Sequence, residues 1–231
     1  MPIYQLSETV VFPPVRLADK SGILAVGGDL SSDRLLAAYR QGIFPWYSEN
    51  EPILWWSPDP RFVLFLEELR ISRSMNKVLR RGVFKITYDN DFYSVIASCR
   101  HIKRKQEGTW ITDDMLTAYG DLHAMGFAHS AEAWHEGMLV GGIYGVSLGR
   151  CFFGESMFSA MHNASKAALM HLANRLKAQH FEILDCQVYT AHMETLGARH
   201  IPRKEFTTLL RRALSHETIQ GNWGHEHAFS V

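Results

Sequence analysis

The sequence predicts a mixed α/β (α+β) protein, in which a small loop-rich N-terminal domain precedes a larger domain with helices over a mostly antiparallel central sheet. Seven of the eight prolines lie within residues 1–60, and proline interrupts both helices and sheets. From residue 83 onward, segments with helical apolar spacing alternate with segments typical of strands. A chain of 231 residues can form two domains, and we place them at 1–62 and 63–231.

One helix is expected in the N-terminal domain. Ser31 or Ser32 supplies its N-cap, and Gly42 ends it. The segment that follows, GIFPWYSENEPILWWSPDP, holds three of the six tryptophans. Because its prolines disfavour ladder pairing, we expect its aromatic rings to lie on an irregular surface.

The tryptophans of these loops are expected to divide into two groups. Trp55 and Trp56 are interpreted as packing residues. Trp46 and Trp110, which stand beside proline or in a glycine-containing loop, are interpreted as ligand contacts. A loop tryptophan can stack on a nucleic-acid base for about 1–3 kcal/mol, although each ring could equally belong to a domain interface.

The larger domain begins with alternating strands and helices. Its first elements are predicted as a strand over 62–66, a helix over 73–81, a strand over 83–88, a helix over 91–102 capped by Asn90, and a helix that begins after Thr112. Phe92, Val95 and Ile96 recur at the spacing of an amphipathic helix. The strands AHSAEAWH, MLVGGIYGVSL and RCFFGESMF follow, and Glu136-Gly137 fits a tight hairpin turn between the first two.

Three further elements complete the larger domain. Asn163 is expected to cap a helix that runs to about Lys177. The segment FEILDCQVY is an almost continuous apolar strand, which is typical of a central strand covered on both faces. A last helix is expected over Arg203–Leu214, and residues 217–231 are expected to form a loose tail.

Charge is balanced overall but not locally. The chain has 24 Lys and Arg against 24 Asp and Glu, yet residues 61–110 carry 11 basic and only 5 acidic side chains. Arg73, Lys77 and Arg80 form one stripe on a helix with Arg81 beside it, and a second cluster covers 103–105. Such a stripe is typical of a solvated helix face or of a surface that follows a phosphate backbone. Two basic patches beside loop tryptophans favour nucleic acid.

Composition excludes several other classes of protein. With 46% hydrophobic residues the chain is not disordered. Its three cysteines form no C-x-x-C pair, so we expect reduced thiols. No leader peptide is apparent, and the apolar runs fall far short of the ~18–20 residues of a membrane span. We therefore expect a cytoplasmic protein, and a monomer, because no helix has a spare apolar face.

Polar side chains in apolar strands mark a candidate site. Strand alternation places Asp185 and Gln187 on one face and Cys186 on the other. A buried carboxylate must be paired or functional, and a glutamine carbonyl can accept a hydrogen bond from an attacking amine. Glu155 in FGESMF is a further candidate, and a satisfied polar pair remains the alternative. No metal site is expected, since neither H-E-x-x-H nor a Cys/His cluster is present.

The order of elements resembles the acetyltransferase-like (GNAT) fold, and METLGAR before the last helix is similar to a late turn of that fold. In that fold, enzymes that use acetyl-CoA carry a glycine-rich pyrophosphate loop before the long helix. The equivalent stretch here, SMFSAMHNASK, has no glycine, and without glycine the backbone cannot easily close on a pyrophosphate. A CoA donor is therefore disfavoured.

Longer motifs resemble one family over nearly the whole chain. AVGGDLSSDRLLAAYRQGIFPWYSENEPILWWSPDPR, EGTWIT, AYGDLHAMGFAHSAEAW, FFGESMFS, NASK and DCQV closely resemble the bacterial leucyl/phenylalanyl-tRNA–protein transferases. The resemblance implies transfer of leucine or phenylalanine, and less well methionine, from charged tRNA to the N-terminal Lys or Arg of a protein, which marks that protein for N-degron proteolysis. It implies a small N-terminal domain, a GNAT-like C-terminal domain, and no need of a metal, nucleotide or CoA.

The resemblance also implies residue roles. Asp185 would hold the amide of Gln187, and Gln187 would accept a hydrogen bond from the α-amine as it attacks the ester carbonyl, although a relay through the terminal ribose hydroxyl is equally consistent. Glu155 would meet the cationic acceptor. The residues implied at the aminoacyl-adenosine are Trp46, Trp110, Tyr39 and Tyr119. Those implied at the tRNA acceptor stem are Arg73, Lys77, Arg80 and Arg81.

Selection of a leucine or phenylalanine side chain requires an apolar pocket. The candidate walls are Ile143, Phe152, Phe153, Ser156 and Leu172. Relatives can carry methionine at position 143 and phenylalanine at position 172, so the preference among the three amino acids stays open. Two alternatives to the transferase remain, an acyl-CoA N-acetyltransferase suggested by fold alone and a non-catalytic RNA-binding module, which would have no need of Asp185 and Gln187.

Overall fold

The computed structural model describes residues 3–101 and 111–224. They form a mixed α+β protein with two sheets. The strands are β1 (Tyr4–Leu6), β2 (Ile23–Gly27), β3 (Phe44–Pro45), β4 (Leu54–Trp56), β5 (Arg61–Phe65), β6 (Lys85–Tyr88), β7 (Ala128–His135), β8 (Met138–Leu148), β9 (Cys151–Ser159), β10 (Ile183–Gln187) and β11 (Arg199–Ile201). The α-helices are α1 (Ser32–Tyr39), α2 (Arg73–Arg80), α3 (Phe92–His101), α4 (Asp113–Ala124), α5 (Ala164–Ala178), α6 (Ala191–Thr195) and α7 (Arg203–Ala213).

The larger sheet has the order β11-β5-β10-β9-β8-β7-β6 and is antiparallel except for the pair β9–β10. Alternate residues of its central strands enter opposite cores, as the period of two requires. Phe153 and Ile183 pack with α3 and α4, whereas Phe152 and Leu184 pack with α5. The prediction of helices over a mostly antiparallel sheet is therefore confirmed.

A four-stranded sheet in the first quarter of the chain was not predicted. Its order is β1-β2-β4-β3, and Pro45 pairs with Trp55 in it. The expectation that proline would prevent ladder pairing is wrong here because β3 is an edge strand, where a missing N–H can face away from the sheet. The side chains of this sheet and of α1 join the same apolar core as α3, α4 and α7.

Several predicted helix boundaries change in the structure. Of the two predicted caps of α1, Ser31 is the one that accepts from the Arg34 N–H, as the sequence allowed. The N–H of Ser94 donates to the side chain of Asp91, so Asp91 rather than Asn90 caps α3. Asn163 precedes α5 but has a left-handed backbone and makes no side-chain cap. Thr112 caps α4 as predicted, and α6 and β11 were missed because they are only 5 and 3 residues long.

The expected loose tail is anchored at least as far as residue 224. Trp223 is buried and stacks on His129, with ring centroids 3.7 Å apart. Its backbone N–H donates to Asp89 Oδ2 at 2.8 Å, and the same carboxylate oxygen lies 2.8 Å from His129 Nδ1. The sequence pattern missed this anchor because one aromatic residue shows no period. Within the described ranges, no helix combines the length and apolarity needed to cross a membrane.

Replacing the anchor should destabilise the whole fold. We expect Trp223→Ala to lower the free energy of unfolding by about 3–5 kcal/mol, the usual cost of truncating a buried large aromatic side chain. Urea unfolding measures this, with the exposed Glu217→Ala as the control in the same segment. A loss for Trp223→Ala below about 0.5 kcal/mol, the range of surface substitutions, would show that the tail is loose after all.

Candidate active site

A cavity of about 810 Å³ opens between the N-terminal sheet and the carboxyl-terminal ends of β9 and β10. This volume lies within the usual range for small-molecule sites. Its residues come from the β3–β4 hairpin, β8, β9, β10 and α6. Apolar side chains dominate, and the polar ones include Glu155, Gln187 and His192.

Below the cavity, Asp185 forms a buried ion pair with Arg61. The Arg61 Nε and Nη2 atoms donate to the two carboxylate oxygens at 2.8 and 2.6 Å, and the side chains are 1% and 0% exposed. Nη1 donates to the carbonyl of Gly42 at 3.1 Å. The guanidinium lies over the rings of Phe44 and Phe206 at 4.8 and 4.6 Å. Arg61 is thus held on all sides, and the sequence had not singled it out.

Asp185 also fixes the backbone of Gln187. The Gln187 N–H donates to Asp185 Oδ1 at 2.9 Å, and Gln187 has a φ of 63°. Cys186 is an extra residue in the ladder with β5, because Asp185 opposes Val63 and Gln187 opposes the next residue, Phe62. This bulge re-aims the side chains. The implied contact between Asp185 and the amide of Gln187 is therefore made by the backbone amide.

The bulge also overturns the simple alternation. Asp185 turns away from the cavity to Arg61, whereas Cys186 and Gln187 both line it. Cys186 was expected on the face opposite Gln187. Burial raises the pKa of its thiol far above the ordinary value, which keeps it protonated and argues against a thiolate nucleophile.

Glu155 is held by three donors. Tyr39 Oη and Gln187 Nε2 donate to Oε1 at 2.8 and 2.7 Å, and Tyr119 Oη donates to Oε2 at 2.9 Å. Burial raises the pKa of Glu155 to about 7, against the lowering effect of these hydrogen bonds. Glu155 is itself the extra residue of a bulge, because Tyr144 opposes Ser156 while Gly145 opposes Gly154.

The two tyrosines lie behind this carboxylate and do not line the cavity. Tyr39 and Tyr119 are completely buried, and their hydroxyl oxygens are 2.5 Å apart. Burial raises the pKa of both phenols well above the ordinary value, and the nearby Glu155 raises it further. They therefore remain protonated donors, and neither is among the residues that line the cavity.

Tryptophans form one side of the cavity. Trp46 is 39% exposed, its ring lies 5.3 Å from that of Trp56, and Trp56 Nε1 donates to its carbonyl at 2.6 Å. Trp55 is fully buried, as a packing residue should be. Trp56 lines the cavity beside Trp46, so its interpretation as packing alone is wrong. Trp110 and the basic cluster 103–105 lie outside the described residues.

Two of the five predicted pocket walls lie at the cavity, namely Ile143 and Ser156. Phe152, Phe153 and Leu172 are buried in the two cores instead. Phe152 and Phe153 precede the bulge at Glu155, where the ladder is regular and each side chain enters one core. The apolar walls that the sequence missed are Met157, Leu184, Val188 and Met193; they become visible only once β9, β10 and α6 are placed together.

The basic stripe lies elsewhere on the surface. Arg73, Lys77, Arg80 and Arg81 are all exposed at or just after α2, and Met75 is the buried residue of that helix. None of the four lines the cavity. In the described part of the chain, no three His, Cys, Asp or Glu side chains are grouped as metal ligands.

Comparisons of the sequence with known proteins agree on one family. The leucyl/phenylalanyl-tRNA protein transferase model matches residues 63–211, and the model of the N-terminal domain of that transferase matches 28–59. A leucyl/phenylalanyl-tRNA–protein transferase of Syntrophus aciditrophicus is 59% identical over 96% of this chain and 94% of its own length. That of Syntrophobacter fumaroxidans is 55% identical with the same coverage.

Among solved structures, L-PGS from Bacillus licheniformis is 12% identical over 68% of this chain and 50% of its own. The TM-score of this match is 0.39, which is too low to bear on fold or function.

Breaking the buried ion pair should be costly. We expect Arg61→Met to lower the free energy of unfolding by about 3–5 kcal/mol, because the buried Asp185 is left without its ion-pair partner. The double variant Arg61→Met/Asp185→Leu should lose less than the sum of the two single variants. Urea unfolding checks both, with Arg199→Met as the control: Arg199 and Glu68 form an ion pair with both side chains 47% exposed, worth about 0–1 kcal/mol. Equal losses for Arg61→Met and Arg199→Met would refute the argument.

Proposed function

The chain belongs to the leucyl/phenylalanyl-tRNA protein transferase family, and we propose that it moves leucine or phenylalanine, and less well methionine, to the N-terminal Lys or Arg of acceptor proteins. It is an aminoacyltransferase that uses aminoacyl-tRNA. The added residue would mark the acceptor for degradation by the N-degron route in the cytoplasm. The observation that carries this proposal is the meeting of an apolar, tryptophan-lined cavity with Glu155 and Gln187.

The aminoacyl end of the tRNA is assigned to the cavity. Trp46, with Trp110 from outside the described residues, would frame the terminal adenosine, and the exposed ring of Trp46 supports this because it is free to stack on a base. Ile143, Met157 and Leu184 would receive the leucine or phenylalanine side chain.

The acceptor amine is assigned to the part of the cavity that Glu155 and Gln187 line. Gln187 uses its amide nitrogen to donate to Glu155, so Oε1 is the atom that can accept a hydrogen bond from an incoming amine. The carboxylate of Glu155 suits a cationic N-terminus. Because the ester is already activated, much of the rate would come from positioning, and Asp185 contributes by fixing the backbone of Gln187.

The remaining assignments are also proposals. We assign the tRNA acceptor stem to the exposed stripe formed by Arg73, Lys77, Arg80 and Arg81. We divide the chain into 1–62 and a GNAT-like unit, 63–231, which the helices over a mostly antiparallel sheet support. We take the protein to act as a monomer.

One assay tests the proposed function. The protein is incubated with radiolabelled Phe-tRNA and a peptide that begins with Arg, and we expect label in the peptide. Asp185→Ala should lower turnover about 100-fold with tRNA affinity kept, because a small misplacement of a reacting group costs that much. The exposed Asp121→Ala is the matched control. No label with active Phe-tRNA, or label only from acetyl-CoA in a parallel reaction, would contradict the proposal.

A second prediction concerns the tRNA path. Charge reversal of Arg73 and Lys77 should weaken tRNA binding and make it less dependent on salt, since fewer counterions are released. Filter binding at several salt concentrations measures both quantities. The control reverses Lys204 and Arg211, which are exposed on α7 and change the net charge equally. If both pairs have the same effect, the path does not cross α2.

A further inference from the structure

Four oxygen atoms of three side chains behind the cavity form a closed ring of contacts. Tyr39 Oη lies 2.5 Å from Tyr119 Oη and 2.8 Å from Glu155 Oε1, and Tyr119 Oη lies 2.9 Å from Glu155 Oε2. All three distances are those of hydrogen bonds between oxygens. We call this group the Glu155 ring. Both phenols are fully buried, whereas Glu155 is one of the residues that line the cavity.

The proton count of the Glu155 ring depends on the charge of the carboxylate. Each phenol brings one proton. With Glu155 ionised, two protons serve three oxygen–oxygen contacts, so one contact lacks a proton. With Glu155 protonated, each of the three side chains donates once around the ring, from Glu155 Oε2 to Tyr119, from Tyr119 to Tyr39, and from Tyr39 back to Glu155 Oε1. The ring is therefore completed by one proton from outside.

The proposed transfer supplies one proton. An ammonium and an ester give an amide, a ribose hydroxyl and a proton. The α-ammonium first loses a proton, and its freed lone pair forms the C–N bond. The electron pair of the broken C–O bond leaves on the ribose oxygen, which takes the second proton from the same nitrogen.

We propose that the Glu155 ring accepts the proton that the acceptor α-ammonium loses, so that Glu155 is the general base of the transfer. This inference rests on the proposed function and adds a chemical role to it. Glu155 lines the cavity together with Gln187, whose Oε1 would hold the same amine. Tyr39 and Tyr119 are positioning residues, because they touch the carboxylate and not the cavity.

The surroundings of Glu155 favour this task. Burial raises its pKa to about 7, close to the pH at which a base works best. Asp185 pushes this pKa up further, while Arg61 faces Asp185. The other titratable side chains along the cavity are Tyr47, Glu49, Glu51, Cys186 and His192. Burial lowers the pKa of His192 and raises that of Cys186, so both stay neutral near pH 7.

Glu155→Gln is the decisive variant. A glutamine can complete the ring, since its amide donates to Tyr119 and its carbonyl accepts from Tyr39, but it cannot take a proton. Transfer from Phe-tRNA to an Arg-peptide is measured at saturating peptide from pH 6 to 9. We expect the wild-type rate to rise with pH and to level off above about 7. The variant should be about tenfold slower at pH 7, because only about a tenth of an α-amine is unprotonated there.

The pH dependence of the rate loss in Glu155→Gln distinguishes a general base from a binding group. If Glu155 is a base, the difference in transfer rate between the wild type and Glu155→Gln becomes smaller toward pH 9, where the amine is already unprotonated when it binds. The KM for peptide then changes little. A raised KM with unchanged kcat and an unchanged pH profile would overturn the proposal and leave Glu155 as a binding residue. A wild-type protein that transfers no label would instead refute the proposed function. Glu182→Gln, at an exposed position, is the matched control and should keep the wild-type profile.

Unfolding in the absence of substrates gives an independent measurement. A carboxyl whose pKa is raised in the folded state binds more protons folded than unfolded between its two pKa values. The wild-type protein should therefore lose stability, relative to Glu155→Gln, as the pH rises from 4.5 to about 7. A stability difference that does not vary with pH would contradict proton uptake by the ring.

Discussion

The buried pair of Arg61 and Asp185 is the interaction on which the candidate site depends. Two charges removed from water are tolerated only where geometry and further hydrogen bonds compensate for the lost hydration. Here the guanidinium makes both carboxylate contacts and lies against the rings of Phe44 and Phe206. Those rings belong to β3 and α7, so the pair joins the small sheet, the larger sheet and the last helix. The orientation of Gln187 follows from this pair, through its backbone N–H.

The same site holds a second carboxylate in a different environment. Asp185 faces a guanidinium, whereas Glu155 is held by the neutral donors Tyr39, Tyr119 and Gln187. A cation compensates a buried negative charge far better than neutral dipoles do. Two acidic groups in one site can therefore differ in role, since Asp185 belongs to the buried framework and Glu155 is the group that we propose accepts a proton.

Much of the larger domain was predictable because its elements are long. Strands β7 and β8, of 8 and 11 residues, and helix α4, of 12 residues, show a clear period and good turn or cap residues. The strands of the small sheet have at most 5 residues, too few for alternation to be recognised. Glu155, Asp185 and Gln187 were found as polar residues in apolar strands. Arg61 was not, because it follows a proline-rich loop and its partner lies 124 residues away.

The errors in placing side chains at the site have one physical cause. Strand alternation holds up to the last parallel pair of β9 and β10, Phe153 with Asp185. Beyond that pair, each strand contains a bulge where it pairs with its antiparallel neighbour. Glu155 is the extra residue of β9 opposite β8, and Cys186 is the extra residue of β10 opposite β5. Glu155 and Gln187 each lie two residues past this pair. The parallel register therefore brings Gln187 Nε2 to within 2.7 Å of Glu155 Oε1. The polar contact is thus made where the ladder stops being regular, and a rule that assumes a regular ladder cannot place it.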